Sequence, residues 1–169
     1  LITPWNFPIA LPAWKLAPAL VSGNTVILKP ASLAPAMTME IAKAFDEAGL
    51  PKGVLNVVVG SGKEVGDELA TNAAVQALSF TGSHSVGSGI YQQLAPRMAR
   101  AQMEMGGKNP TIVLADADLD HAAKLVAMAG YMMTGQVCTA TSRAIVEESV
   151  ADEFTEKLIA EAQARKVGN

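Results

Sequence analysis

Covalent chemistry in this chain could begin at its lone cysteine, which lies among small polar residues. Cys138 sits in Gly135-Gln136-Val137-Cys138-Thr139-Ala140-Thr141-Ser142. Cysteine is among the most buried residue types, so a small core hydrophobe is one reading. The polar neighbourhood supports another, a nucleophile at a helix start, where the positive dipole end would favour thiolate. On these residues alone the two readings balance. A second candidate is Gly60-Ser61-Gly62-Lys63-Glu64-Val65-Gly66, which follows a strand pattern and opens a helix pattern. Its spacing, G-x-G-x-x-x-G, is one residue longer than the dinucleotide fingerprint. A strand-to-helix turn also uses glycine where φ is positive. Cofactor contact and a purely conformational role are therefore equally open.

Other constellations lead nowhere. Asp116, Asp118 and Asp120 begin like a calcium loop, but His121 stands where glycine is needed and Ala127 where glutamate is needed. They read as a turn and a helix cap. Gly62-Lys63-Glu64 lacks the Ser/Thr and spacing of a P-loop, and there is no G-x-S-x-G or H-E-x-x-H. His84 and His121 are isolated from one another and read as surface or capping residues, so no metal site is expected.

The elements that must position these residues alternate between β-rich and helical patterns. Strands are expected at 25–28, 55–59, 77–80 and 142–146, with a further strand pair at 99–105 and 111–114. Helices are expected at 35–48, near 64–71, from 83 to about 94, at 119–133 and at 150–165. Pro35 opens the first of these and Gly49 closes it, while Asp118 caps the helix that follows it. Trp14 reads as core. Strand–helix alternation argues for a parallel sheet covered by helices, an α/β layer. The segment 105–110 breaks the pattern and marks a domain junction.

The chain has 169 residues, enough for a real core; half are hydrophobic, 17% are charged and the net charge is −3. That composition argues against a disordered chain. Lysines and arginines are scattered, giving no footprint for nucleic acid and no membrane-attracting patch. No apolar run reaches the roughly 18 residues of a membrane span. A single cysteine excludes an internal disulfide and suits a cytoplasmic setting. Leu1 opens the chain inside an apolar motif, and both ends read as cuts through a longer polypeptide.

Five stretches resemble the signature segments of the aldehyde dehydrogenase superfamily, in the family's order. They are Thr3-Pro4-Trp5-Asn6-Phe7-Pro8, Val26-Ile27-Leu28-Lys29-Pro30-Ala31, Phe80-Thr81-Gly82-Ser83, Met103-Glu104-Met105-Gly106-Gly107-Lys108 and Gly135-Gln136-Val137-Cys138. In texture the chain is most similar to bacterial 2-oxoglutarate semialdehyde and succinate semialdehyde dehydrogenases. The resemblance implies a Rossmann-like parallel sheet with helices on both faces, most of a cofactor-binding domain at 1–105, and the start of a second α/β catalytic domain at 106–169.

It also implies roles. Cys138 would attack the aldehyde, Asn6 would donate to the oxyanion, and Glu104, as a partly desolvated carboxylate, would activate water against the thioester. Lys15 would relay protons near the oxyanion, and Trp5 would wall the thiol and cofactor side. Lys29 would meet the adenosine ribose, Ser83 and its helix the pyrophosphate, and Gly62 and Gly66 the adenine side. Ser32 stands where NAD-specific members often carry a glutamate, so NADP or NAD is expected, with NADP at least tolerated. The resemblance further implies a homodimer or homotetramer and a short semialdehyde substrate. A coenzyme A-acylating relative and a non-catalytic protein on the same fold are the alternatives; Glu104 stands against the first, and Cys138, Asn6 and Glu104 together against the second. The piece by itself is expected to be inactive and poorly stable.

Overall fold

The computed structural model describes residues 1–168 and divides into two compact units, Leu1–Met105 and Gly106–Asn169.

The first unit is built on parallel strands. β1 (Val26–Leu28) pairs with β2 (Leu55–Val57), and β3 (Ala77–Gly82) pairs with β4 (Arg100–Met105). The opening residues stitch the pairs together. Ile2 N donates to Ser79 O (2.9 Å) and Thr81 N to Ile2 O (3.0 Å); Lys29 N donates to Leu1 O (2.9 Å) and Thr3 N to Lys29 O (3.1 Å). Ile2 bridges both Lys29 and Phe80 in the parallel sense. The spatial order is therefore β2, β1, residues 1–3, β3, β4.

Alternation along each strand sends successive side chains to opposite faces. On one face Val26 and Leu28 pack with Leu16 of α1 (Ala10–Val21) and with Ile41 and Phe45 of α2 (Pro35–Glu47). On the other, Ile2, Leu78 and Phe80 pack with Leu69 and Ala70 of α3 (Asp67–Thr71) and with Ile90 and Leu94 of α4 (His84–Leu94). Helices thus cover both faces, the Rossmann-like arrangement the sequence implies. α2 begins at Pro35, and Gly49 follows its end with φ +84°, a left-handed position that glycine takes without strain.

The second unit is one β–α–β turn and a further helix. β5 (Asn109–Val113) and β6 (Thr141–Val146) are parallel, joined through α5 (Leu119–Tyr131), and α6 (Ala151–Gln163) packs against α5. Val113, Ala123, Val126 and Phe154 form its core. Asp118 caps α5 by accepting from His121 N at 3.0 Å.

Two sequence expectations change. The strands at 99–105 and 111–114 are not each other's partners: β4 pairs with β3 and β5 with β6. In each case an amphipathic helix carries the chain back for a parallel crossover, which satisfies the ladder without a hairpin. Trp14 is not core but 69% exposed. α1 buries Pro12 and Leu16, one helical turn apart, and Trp14 falls on the outer side between them. Among the described residues no helix is long and apolar enough to cross a membrane.

Candidate functional site

The α3/α4 face of the first unit holds a cleft of about 400 Å³. Its walls include Ile2, Lys29 and Phe80 from the sheet, Gly62, Lys63 and Gly66 from the turn after β2, and Ser85 and Val86 from the first turn of α4. Lys29 is 4% exposed, and its Nζ donates to Pro30 O at 3.1 Å. No carboxylate pairs with it among the described residues. Burial alone holds its ammonium below the ordinary lysine value. An ammonium carries three donors, and the protein uses one here, which leaves capacity for ligand oxygens.

The glycines of this cleft bear on the two readings left open above. Neither Gly62 nor Gly66 has a positive φ, and a Cβ at either would meet nothing within 4 Å. Backbone conformation does not require glycine there, and neither does packing. What the missing side chains leave is room in the cleft.

Around it the turn is well held. Ser61 Oγ accepts from Glu64 N at 3.0 Å and donates to Glu64 Oε2 at 2.9 Å, capping a tight π-helical turn over Gly62–Gly66. Ser32 is exposed and does not line the cleft; its Oγ donates to Gly60 O at 3.1 Å, tying it to the turn that does. Ser83 caps α4 by accepting from Val86 N at 3.4 Å, so that helix starts at the cleft wall.

The α1 face carries a polar row instead. Register places Ser79 opposite Gln102 and Thr81 opposite Glu104. From α1, Lys15 Nζ donates to Ser79 Oγ (2.6 Å) and to Gln102 Oε1 (3.0 Å), and Ser79 Oγ itself bonds Gln102 Oε1. Gln102 Nε2 donates to Glu104 Oε1 at 2.9 Å. Burial pulls the Lys15 ammonium below its ordinary value, and the Glu104 carboxylate opposes that pull. Thr3 and Thr81 share the row, both buried, with Oγ1 atoms that find no partner among the described residues.

Glu104 is exposed, not the partly desolvated carboxylate expected of it. β4 alternates exposed Arg100, Gln102 and Glu104 with half-buried Ala101, Met103 and Met105, and only the latter set faces the α3/α4 core. Asn6 lies partly buried in the bends of residues 5–9 that lead into α1, and Trp5 beside it is 43% exposed.

In the second unit Cys138 is an exposed free thiol in a turn closed by Ala140 N donating to Val137 O at 3.0 Å. It is not at a helix start. α5 ends at Tyr131, a short 3-10 turn covers Met132–Gly135, and the element that follows the thiol is β6, so no helix begins at Cys138. Two features shape the turn. Met133, Thr134 and Gly135 are consecutive left-handed residues, with φ of 51°, 57° and 74°. Asn109, at the start of β5, donates Nδ2 to Cys138 O (2.7 Å) and Ala140 O (3.2 Å).

Comparison with known proteins settles the kinship. The aldehyde dehydrogenase family model matches residues 1–169. The chain belongs to the aldehyde dehydrogenase family. It is 56% identical over 168 residues to an alpha-ketoglutarate semialdehyde dehydrogenase of Haloferax volcanii, covering 99% of this chain and 35% of that protein. An alpha-ketoglutaric semialdehyde dehydrogenase of Bacillus subtilis is 50% identical over 168 residues, again covering 99% of this chain and 34% of the relative. Among solved structures, betaine aldehyde dehydrogenase from Staphylococcus aureus in complex with NAD+ superposes with a TM-score of 0.96 at 39% identity, covering 99% of this chain and 33% of that one. The chain thus spans about a third of the length of these aldehyde dehydrogenases.

Within the family frame, Lys29, Gly62 and Gly66 come together at the cleft and Lys15 with Glu104 in the polar row, while Cys138 stands in the other unit. Sequence alone does not point to Lys63, Ser79, Gln102 or Asn109. The one available signal is that Ser79 and Gln102 interrupt apolar strands at positions alternating with Leu78, Phe80, Ala101 and Met103.

Proposed function

We propose that the protein carrying this chain oxidises a short aldehyde, a semialdehyde bearing a carboxylate, to the acid with NADP or NAD. The observation that carries the reading is the cleft. Buried Lys29 keeps spare donors there, and Gly62 and Gly66 leave space that neither fold nor backbone demands. Such a place suits a ribose and its neighbouring groups. Lys29 and Lys63 supply positive charge against Asp67 in the cleft lining, and Ser32 stands where a glutamate would add a further negative charge, so a 2′-phosphate is tolerated.

A nicotinamide cofactor, when bound, supplies a hydride acceptor. Cys138 Sγ bonds the aldehyde carbon as thiolate, and the oxyanion so formed is held by the Asn6 amide and the Cys138 N–H. Departure of the hydride leaves an acyl thioester on Cys138. Glu104 takes a proton from water, the hydroxide adds to the thioester carbon, and the C–S bond breaks to free the acid and the thiolate. Lys15 is assigned to relaying protons near the oxyanion, and Trp5 to the wall beside the thiol. On this reading residues 1–105 are most of a cofactor-binding domain and 106–169 begin the catalytic domain. The relatives named above include semialdehyde enzymes, which supports the substrate class. The reading extends to a homodimer or homotetramer, in the reducing cytoplasm that a single cysteine suits.

One kinetic series on the full-length protein tests this. Wild type should turn over a carboxylate-bearing semialdehyde with either cofactor, with NADP at least comparable to NAD in kcat/KM. Glu104→Gln should give a burst of reduced cofactor and then stop, and Cys138→Ala should give none. A strong NAD preference refutes the Ser32 reading; steady turnover by Glu104→Gln refutes hydrolysis through that carboxylate. Turnover that requires coenzyme A points to the acylating reaction.

A further inference from the structure

The polar row holds two opposite charges that do not meet. Lys15 and Glu104 reach the two ends of one amide: Lys15 Nζ donates to Gln102 Oε1 at 3.0 Å, and Gln102 Nε2 donates to Glu104 Oε1 at 2.9 Å. No direct ion pair joins Lys15 to Glu104 among the described residues. The sense of the amide follows from its neighbours. Its oxygen end faces two donors, Lys15 Nζ and Ser79 Oγ, so the NH₂ end must face the carboxylate. The strand ladder keeps it there, because Gln102 lies in register with Ser79 and two residues before Glu104 on the same face.

An ammonium in contact with a carboxylate lowers its basicity and occupies its lone pairs. A neutral amide in between does less. It fixes Glu104 through one oxygen, while Oε2 takes none of the described hydrogen bonds. A general base needs that combination of a fixed carboxylate and a free oxygen.

We propose that Gln102 is a positioning residue for the deacylating carboxylate, a spacer that orients Glu104 and keeps Lys15 from closing on it as a direct ion pair. The inference rests on Glu104 being the base that hydrolyses the thioester.

The test uses the full-length protein and separates the burst of reduced cofactor from steady turnover. Gln102→Met keeps the volume and removes both hydrogen bonds. Its burst amplitude, burst rate and kcat/KM for the aldehyde should stay within about twofold of wild type, while steady kcat falls between about 10- and 100-fold, the scale of a misplaced reacting group. In a Lys15→Met background the same substitution should cost at least about threefold less than in the wild-type background, because the ion pair it releases can no longer form and only the loss of orientation remains. Unchanged steady turnover in Gln102→Met overturns the proposal, as does an equal loss of burst and steady rate, or a full loss in the Lys15→Met background. Should Gln102→Met fail to fold, Gln102→Glu serves. It retains the Lys15 contact and sets a like charge against Glu104, so a normal steady rate in that variant is equally fatal. Glu104→Gln tells the two claims apart. If it turns over steadily, the assignment of Glu104 fails; if it stalls after its burst and Gln102→Met does not slow, only the spacer fails.

Discussion

At Gly66 the backbone is helical, φ −66° and ψ −46°, and a Cβ would enter open space. Glycine inside a helical turn costs about 0.5–1 kcal/mol relative to alanine. Gly66→Ala should therefore leave Tm unchanged or raise it, while the methyl group intrudes on the cleft and raises the cofactor KM several-fold. Thermal melts beside cofactor titrations read both, and an unchanged KM would remove this glycine from the cofactor site. Lys29 makes the same point through charge. Burial lowers its ammonium from the ordinary 10.5. A folded-state value below the unfolded one means that the charged form opposes folding at neutral pH, and the penalty fades as pH rises through the lowered value toward 10.5. Lys29→Met should raise Tm at neutral pH, with the gain narrowing in alkaline buffer, and should weaken cofactor binding. A lower Tm at neutral pH would show that the lysine is held by a favourable interaction instead.

Elements set what the residues can do. The run before Cys138 places Met133 and Thr134 at φ 51° and 57°, a region that costs a residue with a Cβ about 1–2 kcal/mol. Met133 is 45% exposed, so its side chain is not the reason for the conformation. Asparagine tolerates the left-handed region far better. Met133→Asn should stabilise the protein by about 0.5–1 kcal/mol, seen as a higher denaturant midpoint at unchanged slope; a loss of stability would mean that the methionine makes contacts worth more than the strain. On the opposite side of the turn Asn109 clips the carbonyls of Cys138 and Ala140, so the position of the thiol depends on a strand 29 residues earlier in the chain.

For the molecule as a whole, β5 and β6 present an uncovered flank. Ile112 and Ile145 face each other in register and are 66% and 52% exposed. Parallel strands are ordinarily covered on both faces. Produced as these 169 residues alone, the chain should self-associate with rising concentration and show no aldehyde oxidation. Light scattering after size exclusion measures the first, and replacing both isoleucines with threonine should shift the population toward monomer. A monomer at every concentration, or measurable turnover, would contradict this.

Sequence by itself determined the parts with local causes. Pro35 and Gly49 bound one helix, Asp118 caps another, and apolar periodicity marks the strands; the five motifs pick out Cys138, Glu104, Asn6 and Lys29 by type and order. Tertiary structure decided who meets whom. β4 pairs with β3 because α4 returns the chain for a parallel crossover, Trp14 lies outside because α1 packs through Pro12 and Leu16, and Glu104 is exposed because its parity on β4 points away from the α3/α4 core. Cys138 lies in a turn because β6, not a helix, comes next. Backbone donors and acceptors are alike on every strand, and a polar side chain on one strand looks locally like any other. Only the register that brings Ser79 opposite Gln102, beneath Lys15, turns three scattered polar residues into one array with Glu104.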